Sequence, residues 1–142
     1  MIISLKNKHT LLCEDFSFKC SIGKNGLTKR KIEGDKKTPI GTFNIEHLYF
    51  RKDRINKPQT SLRCIEIKDN MHWCNDAKYP KHYNKLINAF VNIKSEKLKR
   101  KDYKYDLLIP IKYNFYKPIT GLGSCIFIHI TNNYKPTAGC IA

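Results

Sequence analysis

The sequence predicts a β-rich domain, mainly strands with one or two short helices, and three observations carry that expectation. Turn-forming residues recur along the chain, at Gly23 to Gly26, Gly34-Asp35, Thr38-Pro39, Lys57-Pro58, Gly121 to Gly123 and Lys135-Pro136. Glycine supplies positive φ and proline presets its own φ, so such positions punctuate the chain. The segments between them are short and rich in β-branched and aromatic residues, which suit a pleated, half-buried surface. The best helical candidate, Tyr83 to Ile93, has only weak apolar spacing.

In chain order, the first expected strand is Phe16 to Ile22, closed by the Gly23 turn. Gly41 to Phe50 follows the Thr38-Pro39 turn, and Cys64 to Ile67 follows Lys57-Pro58. The candidate helix comes next. The stretch Lys94 to Lys104 holds six Lys or Arg and reads as a solvated connector, with an anion-binding patch as the alternative. Tyr105 to Ile111 and Cys125 to Ile130 complete the strands, the last being an apolar run of the kind that lies buried.

A chain of 142 residues, 41% hydrophobic and 11% aromatic, makes one domain able to bury a core. Its 27 Lys plus Arg against 12 Asp plus Glu give a net charge of +15, which favours polyanions. Nucleic acid, anionic membrane and anionic cell-wall polymer all qualify, and so does plain solubility in a Lys-rich composition. No nucleic-acid motif is recognisable, so no nucleic acid is expected. The six cysteines include no CxxC pair, and a domain of this length does not need disulfide staples. Mostly reduced, partly buried thiols are expected. No apolar run approaches the roughly 20 residues that span a membrane, and MIISLKNKHTLL holds no secretory signal core.

The segment GLGSCIFIHITNNYKPTAGCIA, from Gly121 to Ala142, bears the chemistry. His129 stands near the end of the apolar run, where a strand delivers a side chain to a site. The polar, turn-rich Thr131 to Pro136 can fold back and bring Cys140 toward it. A free thiol has a pKa of roughly 8.5, so a nearby imidazole that takes its proton makes it a nucleophile. Gly139 allows close approach of substrate to the backbone. N–H groups around Gly139 and Cys140 are candidates for an oxyanion hole, worth roughly 3–4 kcal/mol per donor elsewhere. One Cys and one His at this spacing are alone a weak signal, for which a buried thiol and a satisfied core histidine are the commoner explanation.

His129, a short loop and then Thr137-Ala138-Gly139-Cys140 resemble the signature of the L,D-transpeptidase catalytic domain, the YkuD type. Glu33-Gly-Asp-Lys-Lys-Thr-Pro-Ile-Gly-Thr-Phe43 is similar to that family's GDxxTPxGxF segment. Trp73-Cys-Asn-Asp76, Tyr83-Asn84, Tyr105-Asp106 and Gly123-Ser124 look like features of a subgroup. The resemblance covers most of Ile22 to Ala142, in order. It implies a β-sandwich-like fold and a two-step acyl transfer on peptidoglycan stem peptides. In that scheme Cys140 is the nucleophile, His129 the general base and then acid, and no cofactor or metal is needed. The second imidazole nitrogen is then expected on a backbone carbonyl. Gly139, Thr137, Trp73, Tyr113 and Asn114 are the expected substrate-binding residues. The implied location is the periplasm or cell envelope, although no signal peptide is visible.

This chain departs from the family pattern at Ala138, where His is frequent, and in a shorter His-to-Cys spacing. It also stops at Ala142, so the expectation is one catalytic domain over 1–142, shortened or incomplete at its C-terminus. Two alternatives stand beside the transpeptidase: a carboxypeptidase or hydrolase on the same substrate, and a non-catalytic basic module holding cell-wall polymer. An unrelated cysteine hydrolase is disfavoured by the Thr-Pro-x-Gly-x-Phe segment. Cys64, His72, Cys74 and His82 match no common zinc spacing. Cys140 is expected partly exposed at the base of a cleft and Cys125 buried. The Lys94 to Lys104 stretch is expected to hold an anionic polymer and contribute little to the chemistry.

Overall fold

The computed structural model describes residues 2–88 and 92–142. Among them the chain forms twelve strands and no helix: β1 (Ile3–Asn7), β2 (Thr10–Cys13), β3 (Phe16–Lys19), β4 (Leu27–Thr28), β5 (Thr38–Pro39), β6 (His47–Phe50), β7 (Arg63–Glu66), β8 (Met71–Cys74), β9 (Leu86–Asn88), β10 (Ser95–Lys97), β11 (Leu107–Pro110) and β12 (Phe127–His129). The β-rich expectation holds, and every expected strand contains or overlaps an observed one. The expected segments are longer than the ladders, because irregular backbone makes up their ends.

The helix expected over Tyr83 to Ile93 is corrected where the chain is described. Tyr83 and Asn84 close a turn, and Leu86–Asn88 pairs antiparallel with β8; the remainder includes 89–91, outside the described residues. The cause is local. Asn84 adopts φ 56°, a left-handed conformation that stops a helix. The connector expected over Lys94 to Lys104 is also corrected: its first part is β10, paired with β8, and Leu98 beyond it is fully buried.

Two sheets enclose the core. One has the order β12-β11-β6-β7, the other β10-β8-β9. Trp73 from β8 bridges them, edge-on to Phe127 of β12 at 5.2 Å and to Tyr49 of β6 at 6.4 Å. Such pairs contribute roughly 0.5–1.5 kcal/mol each beyond the area they bury. Ile67, Leu98, Tyr105, Leu108, Cys125 and Cys140 complete the cluster. The β1-β2-β3 meander and the short parallel pair of β4 and β5 lie outside this sandwich.

Candidate active site

Strand β12 is an edge of its sheet, paired on one side with β11 in the register Ile109 to Ile128. On its other side the returning C-terminal segment zips on in parallel. His129 N–H donates to the Ile141 carbonyl at 3.0 Å, and Ile141 N–H donates to the Phe127 carbonyl at 2.9 Å. Side chains alternate across a strand. With Ile128 level with Ile141, those two isoleucines face one way, into an apolar cavity. His129 and Cys140 face the other and line a second cavity of about 450 Å³.

The turn that presents Cys140 is held from three directions. Thr137 N–H donates to the Ile22 carbonyl at 2.9 Å. The Thr137 hydroxyl donates to the Cys140 carbonyl at 2.6 Å and accepts from Gly139 N–H at 3.1 Å. Thr38, buried in β5, donates its hydroxyl to the Gly139 carbonyl at 2.8 Å. Gly139 has φ 140°, which few L side chains adopt. Because Thr137 engages Gly139 N–H, that group is not free for an oxyanion, which corrects the sequence-based assignment. Among the described residues Cys140 N–H has no hydrogen-bond partner.

His129 Nδ1 lies 3.0 Å from the Ile130 carbonyl. A carbonyl can only accept, so Nδ1 carries the hydrogen and Nε2 keeps its lone pair in the neutral ring. Burial lowers the His129 pKa, the Ile130 carbonyl opposes the drop, and Lys104 and Arg100 add to it. The imidazole is therefore a neutral, oriented base at pH 7. Its ring packs at 5.4 Å against Tyr105, whose hydroxyl bonds Glu96.

Cys140 is more enclosed than expected: its relative exposure of 9% equals that of Cys125. The reason is packing, since Cys140 belongs to the core cluster with Phe127 and Tyr105. Its thiol donates to the Cys125 carbonyl at 3.3 Å. Burial pushes its pKa up to about 12; Glu96 adds to the rise, while Phe127 N–H and Lys31 pull it down. At rest the thiol is thus protonated and the imidazole neutral; both line one cavity, and among the described residues no hydrogen bond joins them. All six cysteines are unpaired.

Of the other expected site residues, Thr137 lines the cavity and Gly139 shapes the turn. Trp73 does not line it; at 3% exposure it is a core residue. Its Nε1–H donates to Asn84 Oδ1 at 2.9 Å. Tyr113 and Asn114 lie behind the wall. Tyr113 donates its hydroxyl to the Leu122 carbonyl at 2.7 Å, and Asn114 Nδ2 donates to the Gly123 carbonyl at 2.9 Å. They brace the loop leading to Ser124, which does reach the cavity.

Residues outside the expected set form much of the lining: Lys31, Glu33, Glu96, Arg100, Lys104 and Tyr105. Glu33 accepts from Ser124 Oγ at 2.6 Å and from the Tyr83 hydroxyl. It belongs to the GDxxTP-like segment, so its place was open to reading. Arg100 and Lys104 lay inside the stretch read as a connector. Their presence here corrects the separation of that basic stretch from the chemistry.

The family model described as YkuD, the L,D-transpeptidase catalytic domain, matches residues 1–142. No curated protein and no solved structure shows a match.

Proposed function

Because the chain belongs to the L,D-transpeptidase catalytic domain family, whose members act on peptidoglycan stem peptides, typically in the cell envelope, we propose that it is a cysteine acyltransferase on such peptides. The observation that carries this reading is the shared cavity of Cys140 and His129, with Nδ1 tied to the Ile130 carbonyl and Nε2 left basic.

In the first half-reaction Cys140 Sγ attacks the carbonyl carbon of an L-centre while His129 Nε2 takes the thiol proton. The carbonyl oxygen becomes an oxyanion, for which Cys140 N–H is the available donor. As the oxyanion collapses, the C–N bond breaks. The leaving D-amino acid takes the proton from His129, and a thioester remains on Cys140. An amine of a second stem then attacks the thioester, passing its proton through His129 to the departing sulfur. Water in place of the amine gives a carboxypeptidase.

The raised Cys140 thiol favours a second reading, a basic module that keeps the fold and holds anionic cell-wall polymer. Incubation with a donor tetrapeptide or a carbapenem, followed by mass spectrometry, separates the two. The acyltransferase gains a covalent adduct on Cys140; a module that gains none sinks the catalytic reading. Product analysis with and without an amine acceptor then distinguishes transfer from hydrolysis.

A further inference from the structure

Lys31 is a lysine in an unusual place. Its side chain is 3% exposed, and lysine is almost never buried without a partner. Its Nζ donates to Asp35 Oδ1 at 2.5 Å and to the Ile32 carbonyl at 3.3 Å. An ammonium has three donors, so one remains beyond these two. Asp35 is fixed in turn by the N–H groups of Ile32 and Lys37, each at 2.9 Å.

The stem of Lys31 runs past two glycines. A Cβ on Gly123 would come within 2.7 Å of Lys31 Cγ, and one on Gly139 would stand 3.7 Å from Lys31 Cε. Gly123 therefore leaves room for the lysine stem, and the end of that stem lies within van der Waals reach of Gly139, which immediately precedes Cys140. Lys31 lines the same cavity as Cys140 and His129.

Resting on the acyl-transfer reading, we propose that Lys31 is the buried cation that steadies the Cys140 thiolate, with Asp35 as the residue that positions it. A cation near a thiol favours the ionised form. The surroundings make that contribution matter. Glu96 from β10 and Glu33 from the Lys31 segment bring negative charge to the cavity, while Lys36, Arg100, Lys104 and Lys135 bring positive charge. His129 and Tyr105 face it in neutral form, the tyrosine because burial raises its pKa. Among these cations Lys31 is the buried one, and its stem reaches Gly139 in the turn that carries the nucleophile.

The test reads the thiol directly and needs no acyl donor. A small neutral haloacetamide alkylates the protein at a series of pH values, and Cys140 is followed by peptide mass spectrometry. Lys31→Met keeps the stem and removes the charge. Lys31→Gln removes the charge yet can still donate to Asp35 and Ile32, so it guards against loss of folding. Lys31→Arg restores the charge. The Met and Gln variants should react about tenfold more slowly at Cys140 across the neutral range, the factor for one pKa unit. The Arg variant should stay near wild type. Equal rates in wild type and Lys31→Met, or a Gln variant matching the Arg variant, would overturn the proposal. A wild type that alkylates with this dependence on residue 31 but never acylates would sink the acyl-transfer reading alone.

Discussion

Thr38 and Gly139, far apart in sequence, are joined by a 2.8 Å hydrogen bond from the threonine hydroxyl to the glycine carbonyl. The same hydroxyl accepts from Gly23 N–H at 2.9 Å, so one buried side chain ties β5 to the turn that presents Cys140. Thr38→Val keeps the shape and removes both bonds. It leaves a buried carbonyl and a buried N–H unpaired, at roughly 1–3 kcal/mol for each such group. We expect a stability loss of about 2 kcal/mol or more in urea unfolding and slower acylation of Cys140, with Thr38→Ser near wild type. Unchanged acylation in a destabilised Thr38→Val would show that the bond serves the fold alone.

Gly139 itself should tolerate no side chain. At φ 140° a Cβ would lie 3.0 Å from the Lys37 carbonyl oxygen and 3.3 Å from Ile126 Cδ1. Strain of this kind costs on the order of 1–3 kcal/mol. Gly139→Ala should melt lower and lose most acylation, because relief of the contact moves the residue next to the nucleophile. A variant that acylates at the wild-type rate would show that the turn is more forgiving than its geometry implies.

Asn84 is the polar hub behind the site. Buried at 3%, it accepts from Trp73 Nε1 at 2.9 Å and Cys125 N–H at 3.1 Å, and donates to the carbonyls of Tyr113 and Asn114. Asn84→Ala strands these groups, so a loss of roughly 3 kcal/mol or more is expected. Calorimetry checks it; a melting point within a degree or two of wild type would mean that water replaces the amide.

These residues show what the sequence made legible. The His129 strand and the Gly-Cys turn could be read because hydrophobic runs and turn chemistry are local signals. The expected strand from Cys125 to Ile130 contains β12. The helix at Tyr83 to Ile93 failed because Asn84 answers to partners on three distant segments, which no local pattern shows. Trp73 was expected at the substrate, and the structure packs its ring between the two sheets. Lys31, Glu96 and Arg100 went unnoticed as site residues because nothing in the chain around them marks the cavity they share. Tertiary placement, not propensity, makes them neighbours of Cys140.

The pH dependence of stability should carry the mark of the buried thiol. Folding raises the Cys140 pKa from an ordinary 9.0 to about 12, so the folded state holds its proton where the unfolded chain releases it. The stabilisation from this protonated thiol is complete below the ordinary thiol value and is lost as pH climbs toward 12. Tyr83 shifts upward too and is common to wild type and Cys140→Ala; Cys125 and Tyr105 also shift upward, chiefly by burial, and Cys140→Ala removes only the part that the thiol adds. Between mildly and strongly alkaline pH, wild type should therefore lose more stability than Cys140→Ala, measured by denaturant unfolding. Parallel pH profiles would show that the thiol is not shielded as its surroundings imply. The same variant should gain no adduct from donor peptide.

The basic stretch divides into two roles. Lys94, Lys97 and Lys101 are exposed and do not line the cavity of Cys140 and His129, whereas half-buried Arg100 and exposed Lys104 do. Arg100 is anchored by Asp102 at 2.6 Å and stands 5.1 Å over the Tyr105 ring, so its charge is held near the chemistry. Exposed charges act on a polymer through solution and fade beyond a Debye length of about 10 Å at 0.1 M salt. Reversal of Lys94, Lys97 and Lys101 to Glu should weaken binding to intact cell-wall sacculi, mimic added salt, and spare the rate on a small soluble stem peptide. Arg100→Gln should do the opposite, with a several-fold slower rate on the small donor and little change in sacculus binding. Steady-state rates on the soluble donor and a salt series of sacculus pull-downs measure the two effects separately. If the triple reversal slowed the small donor as much as Arg100→Gln, the outer lysines would belong to the site and the division would be wrong.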